Sequence, residues 1–139
     1  MSVPITVTRL DHIGVMVADI EAVVSWYTDS LGFEVLDRWV NADAQMAWAH
    51  LELHGFRIEF VERQGLMTPD PTAAGYHHIA LVVPDCAQAV DALVRAGASV
   101  VFPPSYFDRH DMDWSFVQDP FGNILELVSY RSPHTPQRP

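Results

Sequence analysis

Two histidines and two glutamates occupy matched positions in the sequence, and their side chains are of the kind that bind divalent metals. His12 and His78 each lie in a run of β-branched residues, 66 residues apart (78 − 12). Glu59 and Glu126 each lie in an apolar segment, 47 and 48 residues after the respective histidine (59 − 12 and 126 − 78). A carboxylate inside an apolar strand is costly unless it is paired, hydrogen-bonded or bound to a metal. Two imidazoles and two carboxylates form an N2O2 donor set that leaves positions for water or substrate.

These donor types suit zinc, nickel, cobalt, manganese or iron, and the general order of metal affinities does not choose among them. Any one of the four residues alone is more typical of a structural role, such as a hydrogen-bonded histidine or a glutamate that faces solvent. Their recurrence at equivalent places favours one divalent metal per site. Duplication of a structural His/Glu pair is the alternative explanation.

The sequence around these residues repeats with nearly the same offset, which identifies the elements that position them. Segments 10–19 and 76–85 both read as a strand with a central histidine, and each ends in an aspartate that suits a helix N-cap. Apolar residues then recur at helical spacing until a glycine, Gly32 or Gly97, ends the helix. Room for two strands follows before the glutamate-bearing strand, so each half reads β-α-β-β-β. The intervening strands are expected at 34–40, 47–53, 99–102 and 114–118.

The sequence therefore predicts an α+β protein of two tandem βαβββ modules, which form an open, cleft-shaped barrel of mixed sheet with the helices outside. The modules are expected at 9–61 and 76–130, joined by a linker at 62–75 that is rich in proline and glycine and followed by a flexible tail at 131–139. Because side chains alternate along a strand, all four metal-type residues are expected on the sheet face turned away from the helices. A pseudo-twofold relation between the halves would bring them together.

Other conspicuous residues receive simpler interpretations. Four aromatic residues are expected to pack in the core, with the lining of a hydrophobic substrate funnel as the alternative: Trp48, Phe107, Trp114 and Phe116. Three further histidines are expected at the surface: His50, His54 and His134. Cys86 is expected to pack at the start of the second helix.

The composition excludes several classes of partner. The chain has 139 residues, 49% of them hydrophobic, which is enough for a compact core. Its formal net charge of −10 argues against nucleic acid and against anionic membrane surfaces. The single cysteine excludes an intramolecular disulfide. With neither a secretory leader nor an apolar run of about 20 residues in the sequence, we expect a cytoplasmic protein.

Several motifs resemble the vicinal oxygen chelate superfamily, which includes glyoxalase I, methylmalonyl-CoA epimerase, extradiol dioxygenases and the bleomycin- and fosfomycin-resistance proteins. The motifs are Asp11-His12-Ile13-Gly14-Val15, the helix from Trp26-Tyr27 to Leu31-Gly32-Phe33, His77-His78-Ile79-Ala80-Leu81, and Asp119-Pro120-Phe121-Gly122-Asn123-Ile124-Leu125-Glu126-Leu127. The resemblance covers residues 9–130 and is strongest to glyoxalase I-like and epimerase-like members. It implies that His12, Glu59, His78 and Glu126 fall on the family's four metal positions.

The resemblance also implies a reaction: a metal-dependent lyase or isomerase that moves a proton between adjacent carbons. The intermediate would be a metal-chelated enediolate or enolate of a small 2-oxo or thioester substrate. Either Glu126 or Glu59 is a candidate base; Glu126 is favoured, although the symmetric layout supplies no reason for this choice. An extradiol-type dioxygenase is one alternative, but it uses two histidines and one carboxylate, so that Glu59 would fill a position needed by substrate or oxygen. A resistance-type ligand-binding protein is the other, and such proteins generally lack the metal set.

Two further expectations concern the substrate and the assembly. Relatives that use glutathione often carry an arginine four residues after the first histidine, where this chain has Met16. In addition, Glu59 stands where epimerases commonly show glutamine.

In small members of the family, the first half of one chain commonly pairs with the second half of another. This implies a homodimer with shared sites, and pairing of the two halves within one chain is the alternative.

Overall fold

The chain divides into two compact units, Met1–Met67 (unit 1) and Thr68–Pro139 (unit 2). The structure, a computed structural model, describes residue 6, residues 9–66 and residues 76–132. Most of the predicted linker at 62–75 and most of the predicted tail at 131–139 lie outside the described residues, as does His134.

Unit 1 is a βαβββ module with one four-stranded mixed sheet. Its elements are β1 (Ile13–Val17), α1 (Ile20–Leu31), β2 (Glu34–Asn41), β3 (Met46–Leu53) and β4 (Phe56–Glu62). The strand order is β1-β4-β3-β2, in which β1 runs parallel to β4 and the other neighbours are antiparallel. The first strand of the module therefore lies directly beside the strand that carries Glu59.

Unit 2 repeats this arrangement. Its elements are β5 (His78–Val82), α2 (Cys86–Arg95), β6 (Ser99–Phe107), β7 (Met112–Gln118) and β8 (Ile124–Tyr130), with a 3₁₀ turn at Asp108–His110 between β6 and β7. The order β5-β8-β7-β6 again places a parallel pair, β5 and β8, beside two antiparallel pairs. The predicted α+β class and the repeated βαβββ pattern are confirmed.

Strand β6 is longer than the strand predicted at 99–102. It continues through Pro103 and Pro104 to Phe107, and its register with β7 shifts between Phe102 and Ser105. Proline cannot donate a ladder hydrogen bond, but β6 is an edge strand, where a missing donor on the outer side costs nothing. The prediction that this strand ends at Phe102 was therefore wrong.

Helix α1 begins and ends where its sequence predicts. The side chain of Asp19 accepts a hydrogen bond from the backbone N–H of Ala22 at 3.1 Å. Gly32 ends the helix with a φ of 79°, a left-handed conformation that glycine adopts without strain. The buried face of the helix packs on the sheet, and the ring centroid of Tyr27 lies 4.8 Å from that of Phe60. The residues of α1 that are buried are Ile20, Val23, Val24, Trp26 and Tyr27.

Helix α2 follows the same plan, with Asp85 accepting a hydrogen bond from the backbone N–H of Gln88 at 3.0 Å. Cys86, its first residue, is buried, and its Sγ lies 3.5 Å from the carbonyl oxygen of Leu127. Burial, with the negative charges of Asp113 and Asp85, raises the pKa of the Cys86 thiol. The expectation that Cys86 packs in the interior is confirmed. Neither helix in the described residues has the length and hydropathy needed to cross a bilayer.

Candidate metal centre

In each unit, the register of the parallel strand pair places one histidine beside one glutamate. Gly14 of β1 pairs with Glu59 of β4, and Ala80 of β5 pairs with Glu126 of β8. His12 lies two residues before Gly14, immediately ahead of β1, and His78 lies two residues before Ala80. Because side chains alternate along a strand, each histidine projects to the same face as its glutamate.

Both glutamates project from the sheet face opposite the helix. Their side chains are 22% exposed for Glu59 and 17% exposed for Glu126. The residues on either side of each glutamate point the other way, into the helix-packed core, and are buried almost completely: Ile58, Phe60, Leu125 and Leu127. The predicted alternation of core and open faces is therefore present in both strands.

In unit 1, His12 is oriented by an aspartate. Its Nδ1 lies 2.8 Å from Oδ2 of Asp11, and its Nε2 lies 3.9 Å from Oε1 of Glu59. A carboxylate only accepts hydrogen bonds, so Nδ1 of His12 is the donor to Asp11, and Nε2 lies on the side of Glu59. The hydrogen bond from His12, together with the charge of Arg9, holds the pKa of Asp11 below its usual range.

His50 belongs to the same cluster, so the prediction that it is a surface residue was wrong. Its side chain is only 20% exposed, and its Nε2 lies 2.7 Å from Oε2 of Glu59. The sequence contained the signal for this contact. The two-residue turn His54-Gly55 sets the register between β3 and β4, in which His50 faces Glu59 directly.

In unit 2, the equivalent pair has different neighbours. Nε2 of His78 lies 3.1 Å from Oε2 of Glu126, and Nδ1 of His78 lies 3.0 Å from Nδ1 of His77. The cross-strand partner of Glu126 is Phe116, whose ring centroid is 5.1 Å from that of His78 and 5.6 Å from that of His77. An aromatic side chain thus occupies the place that His50 takes in unit 1.

Stacked aromatic rings flank both glutamates on these faces. Trp39 stacks on Trp48 with centroids 5.6 Å apart, and Phe102 stacks on Trp114 with centroids 4.5 Å apart. The prediction that Trp48, Trp114 and Phe116 pack in the core was wrong, because their register places them half-buried on the face that carries Glu59 or Glu126. Phe107 is 37% exposed at the end of β6, which also excludes it from the core.

The separation between the donor atoms of each pair can be compared with the spacing that a divalent ion requires. Two ligand atoms that each lie about 2.1 Å from an ion are about 3.0 to 3.4 Å apart at octahedral or tetrahedral angles. The 3.1 Å separation in unit 2 meets this condition, and the 3.9 Å separation in unit 1 needs a small rotation of one side chain. Among the described residues, no group of three or more His, Cys, Asp or Glu side chains is placed to hold a metal. Each unit therefore offers two of the four predicted ligands.

Known proteins show the same pattern of sequence and fold. A probable lactoylglutathione lyase of Vibrio cholerae is 28% identical over 130 residues, which cover 91% of this chain and 94% of that protein. An ethylmalonyl-CoA/methylmalonyl-CoA epimerase of Cereibacter sphaeroides is 32% identical over 99 residues, covering 67% of this chain and 74% of that protein. The crystal structure of a glyoxalase family protein from Enterococcus faecalis superimposes with a TM-score of 0.74 at 25% identity, covering 87% of this chain and 97% of that one.

The family model described as the glyoxalase/bleomycin resistance protein/dioxygenase superfamily matches residues 9–127. That range contains both βαβββ modules up to the middle of β8, including all four predicted ligands. Members of this superfamily typically use a divalent metal, although it also contains proteins that are not enzymes. The chain belongs to the glyoxalase/bleomycin resistance protein/dioxygenase superfamily.

Proposed function

We propose that this chain is a metal-dependent lyase or isomerase of the glyoxalase I type, with His12, Glu59, His78 and Glu126 as the ligands of one divalent ion. The observation that carries the proposal is the matched His–Glu pair in each unit, with donor atoms 3.9 Å and 3.1 Å apart. Each pair is half of a ligand set, and one pair from each unit supplies two imidazoles and two carboxylates. Zinc, nickel, cobalt, manganese and iron all accept such a set.

The proposed reaction moves a proton between adjacent carbons of a small 2-oxo or thioester compound. When bound, the ion would stabilise the negative charge that develops on neighbouring substrate oxygens. Glu126 would remove the proton from one carbon and return it to the next, as a general base and then a general acid. Glu59 is the less suitable base because His50 already donates a hydrogen bond to it. The names of two relatives, a probable lactoylglutathione lyase and an epimerase, support this class of reaction.

The functional unit proposed here is a homodimer with shared sites. His12 and Glu59 would come from one subunit, and the remaining two ligands from the second unit of its partner. The glutamate-bearing sheet faces support an assembly that covers them, since they expose large apolar side chains such as Met16, Trp39 and Phe102. Twofold symmetry is the commonest arrangement of homo-oligomers.

Solvent-deuterium exchange tests the activity. The protein, stripped by a chelator and reloaded separately with each candidate metal, would be incubated in D₂O with a panel of 2-oxo acids, hemithioacetals and acyl thioesters. We expect metal-dependent incorporation of deuterium at the carbon next to the carbonyl, and none with the stripped protein or the His12→Ala variant. Iron- and oxygen-dependent cleavage of a catechol ring would contradict the proposal and favour a dioxygenase. Tight ligand binding without exchange would contradict it in favour of a binding protein.

Subunit complementation tests the shared site. His12→Ala chains and Glu126→Ala chains would be unfolded, mixed and refolded together. In a mixed dimer with shared sites, both substitutions fall in one site and the other site is intact, so about a quarter of wild-type activity is expected from random pairing of the two chains. Sites built within single chains would give no activity in the mixture. A monomer in sedimentation at micromolar concentration would reject the dimer.

A further inference from the structure

The two glutamates of the proposed site are held differently. Glu59 has a separate partner for each carboxylate oxygen: Oε2 lies 2.7 Å from Nε2 of His50, and Oε1 lies on the side of His12 at 3.9 Å. In the part of the chain that the structure describes, Glu126 has only His78 as a side-chain partner, at 3.1 Å from Oε2. Its cross-strand neighbour is Phe116, whose ring offers no hydrogen-bond donor.

His50 is itself held in place by its neighbours. The rings of His50 and Trp39 form a T-shaped contact, with centroids 5.1 Å apart and an interplanar angle of 81°. Trp39 in turn stacks nearly parallel on Trp48, with an interplanar angle of 4°. Because these rings restrict the rotamer of His50, its Nε2–H can donate to Glu59 with little further ordering. The contact is therefore part of a packed surface and not a chance meeting of two flexible side chains.

Building on the function proposed above, we propose that His50 is a positioning residue that keeps Glu59 as a permanent, single-oxygen metal ligand and thereby reserves proton transfer for Glu126. To leave the metal, Glu59 would have to rotate and break its bond to His50 as well. Glu126 can rotate towards a substrate carbon without breaking any such bond, because Phe116 occupies the equivalent position. The asymmetry between two otherwise matched half-sites would therefore assign the two carboxylates different roles.

Binding of Co²⁺ alone tests this role without a substrate. The dissociation constant would be measured by competition with a chelator for the wild type, His50→Phe, which copies unit 2, and His50→Gln, which keeps an N–H donor. We expect His50→Phe to bind Co²⁺ about 10- to 100-fold more weakly, the usual size of an effect on a residue that orients a ligand. His50→Gln should recover most of this loss. The control His54→Asn, an exposed histidine at a turn, should change nothing.

Different outcomes separate this inference from the proposed function. A wild-type protein that does not bind Co²⁺ would overturn the metal site itself and, with it, the role of His50. A wild type that binds Co²⁺ while His50→Phe binds equally well, within about twofold, would overturn only the positioning role. A change in the visible absorption bands of bound Co²⁺ in His50→Gln would identify His50 as a direct ligand, which also contradicts positioning. Thermal unfolding of each variant would show that the fold is retained.

The reciprocal substitution tests the second half of the inference. Phe116→His places a donor opposite Glu126, as His50 stands opposite Glu59. We expect kcat for metal-dependent proton exchange to fall about 10-fold or more, as for impaired general base catalysis, while the dissociation constant for Co²⁺ stays the same or decreases. An unchanged kcat would show that the freedom of Glu126 does not determine its role and would overturn this part of the proposal.

Discussion

The two units share a backbone plan and a His–Glu pair but differ in the residues that surround the pair. The histidine of unit 1 is hydrogen-bonded to Asp11, whereas that of unit 2 is hydrogen-bonded to His77. The glutamate of unit 1 faces His50, whereas Phe116 stands at the equivalent register in unit 2. The register of the sheets is thus common to both units, and the differences lie in the side chains around the donors. These neighbouring side chains are the basis on which we propose different roles for the two His–Glu pairs.

The two helix N-termini also share a backbone arrangement but differ in the side chain that accepts the first helical N–H. The first helical N–H of α1, that of Ile20, donates to a carboxylate oxygen of Glu62 at 2.8 Å. The first helical N–H of α2, that of Cys86, donates to the hydroxyl oxygen of Ser129 at 3.2 Å. A carboxylate adds a favourable interaction with the positive end of the helix dipole, whereas the hydroxyl supplies only a hydrogen bond. One structural task is therefore performed by a charged group in unit 1 and by a neutral, buried group in unit 2.

The largest effect that we predict concerns the two glutamates. Glu126→Gln should lower metal-dependent proton exchange by about 10²-fold or more, because it would remove the proposed general base, while the bound metal should be largely retained. Metal content and exchange rate would be measured on the same sample. A fully active Glu126→Gln variant would show that the base is elsewhere.

The matched substitution in unit 1 should act through the metal instead. Glu59→Gln is expected to weaken metal binding because it would replace a proposed charged ligand by an amide, and activity should return at high metal concentration. Loss of exchange in metal-saturated Glu59→Gln, with activity intact in Glu126→Gln, would reverse the two roles.

Most of the fold could be predicted from the sequence because its signals are local. Asp19 and Asp85 mark helix starts, Gly32 marks a helix end, and alternating apolar residues mark the buried face of each strand. Because the sequence repeats, signals of the same kind occur at equivalent positions in both modules. The sequence did not predict the end of β6. A strand tolerates prolines such as Pro103 and Pro104 only at the edge of a sheet, and the position of a strand in its sheet is not a local signal.

The candidate site could be predicted less completely. The four ligand candidates stand out because their types are unusual within apolar strands. His50 and Phe116 do not stand out, since their importance comes from a cross-strand register and not from their own segment of sequence. The turn His54-Gly55 shows that such a register can be inferred when the hairpin is short.

A smaller effect is expected at the helix N-termini. Ser129→Ala should lower the free energy of unfolding by about 1 to 3 kcal/mol, because Ser129 is only 7% exposed and the N–H of Cys86 would lose its acceptor inside the protein. Glu62→Ala should cost less, about 0.3 to 1 kcal/mol, because water can reach this half-buried position. Urea denaturation would measure both.

The dependence on salt concentration distinguishes the charge–dipole interaction of Glu62 in unit 1 from the neutral hydrogen bond of Ser129 in unit 2. The cost of Glu62→Ala should shrink in about 1 M NaCl, because salt screens the interaction of a charge with the helix dipole. The cost of Ser129→Ala should be unaffected, since no charge is removed. A larger loss for Glu62→Ala than for Ser129→Ala, or equal salt sensitivity, would contradict this reading of the two helix ends.

The central proposal is that one His–Glu pair from each unit would hold a single divalent ion, and metal content tests it most directly. Wild-type protein, His12→Ala, His78→Ala and the double variant would be loaded with one metal, dialysed and analysed by atomic emission. The wild type should retain about one divalent ion per chain, each single variant should bind metal much more weakly, and the double variant should retain none. Stoichiometric metal in the double variant, or none in the wild type, would contradict the account.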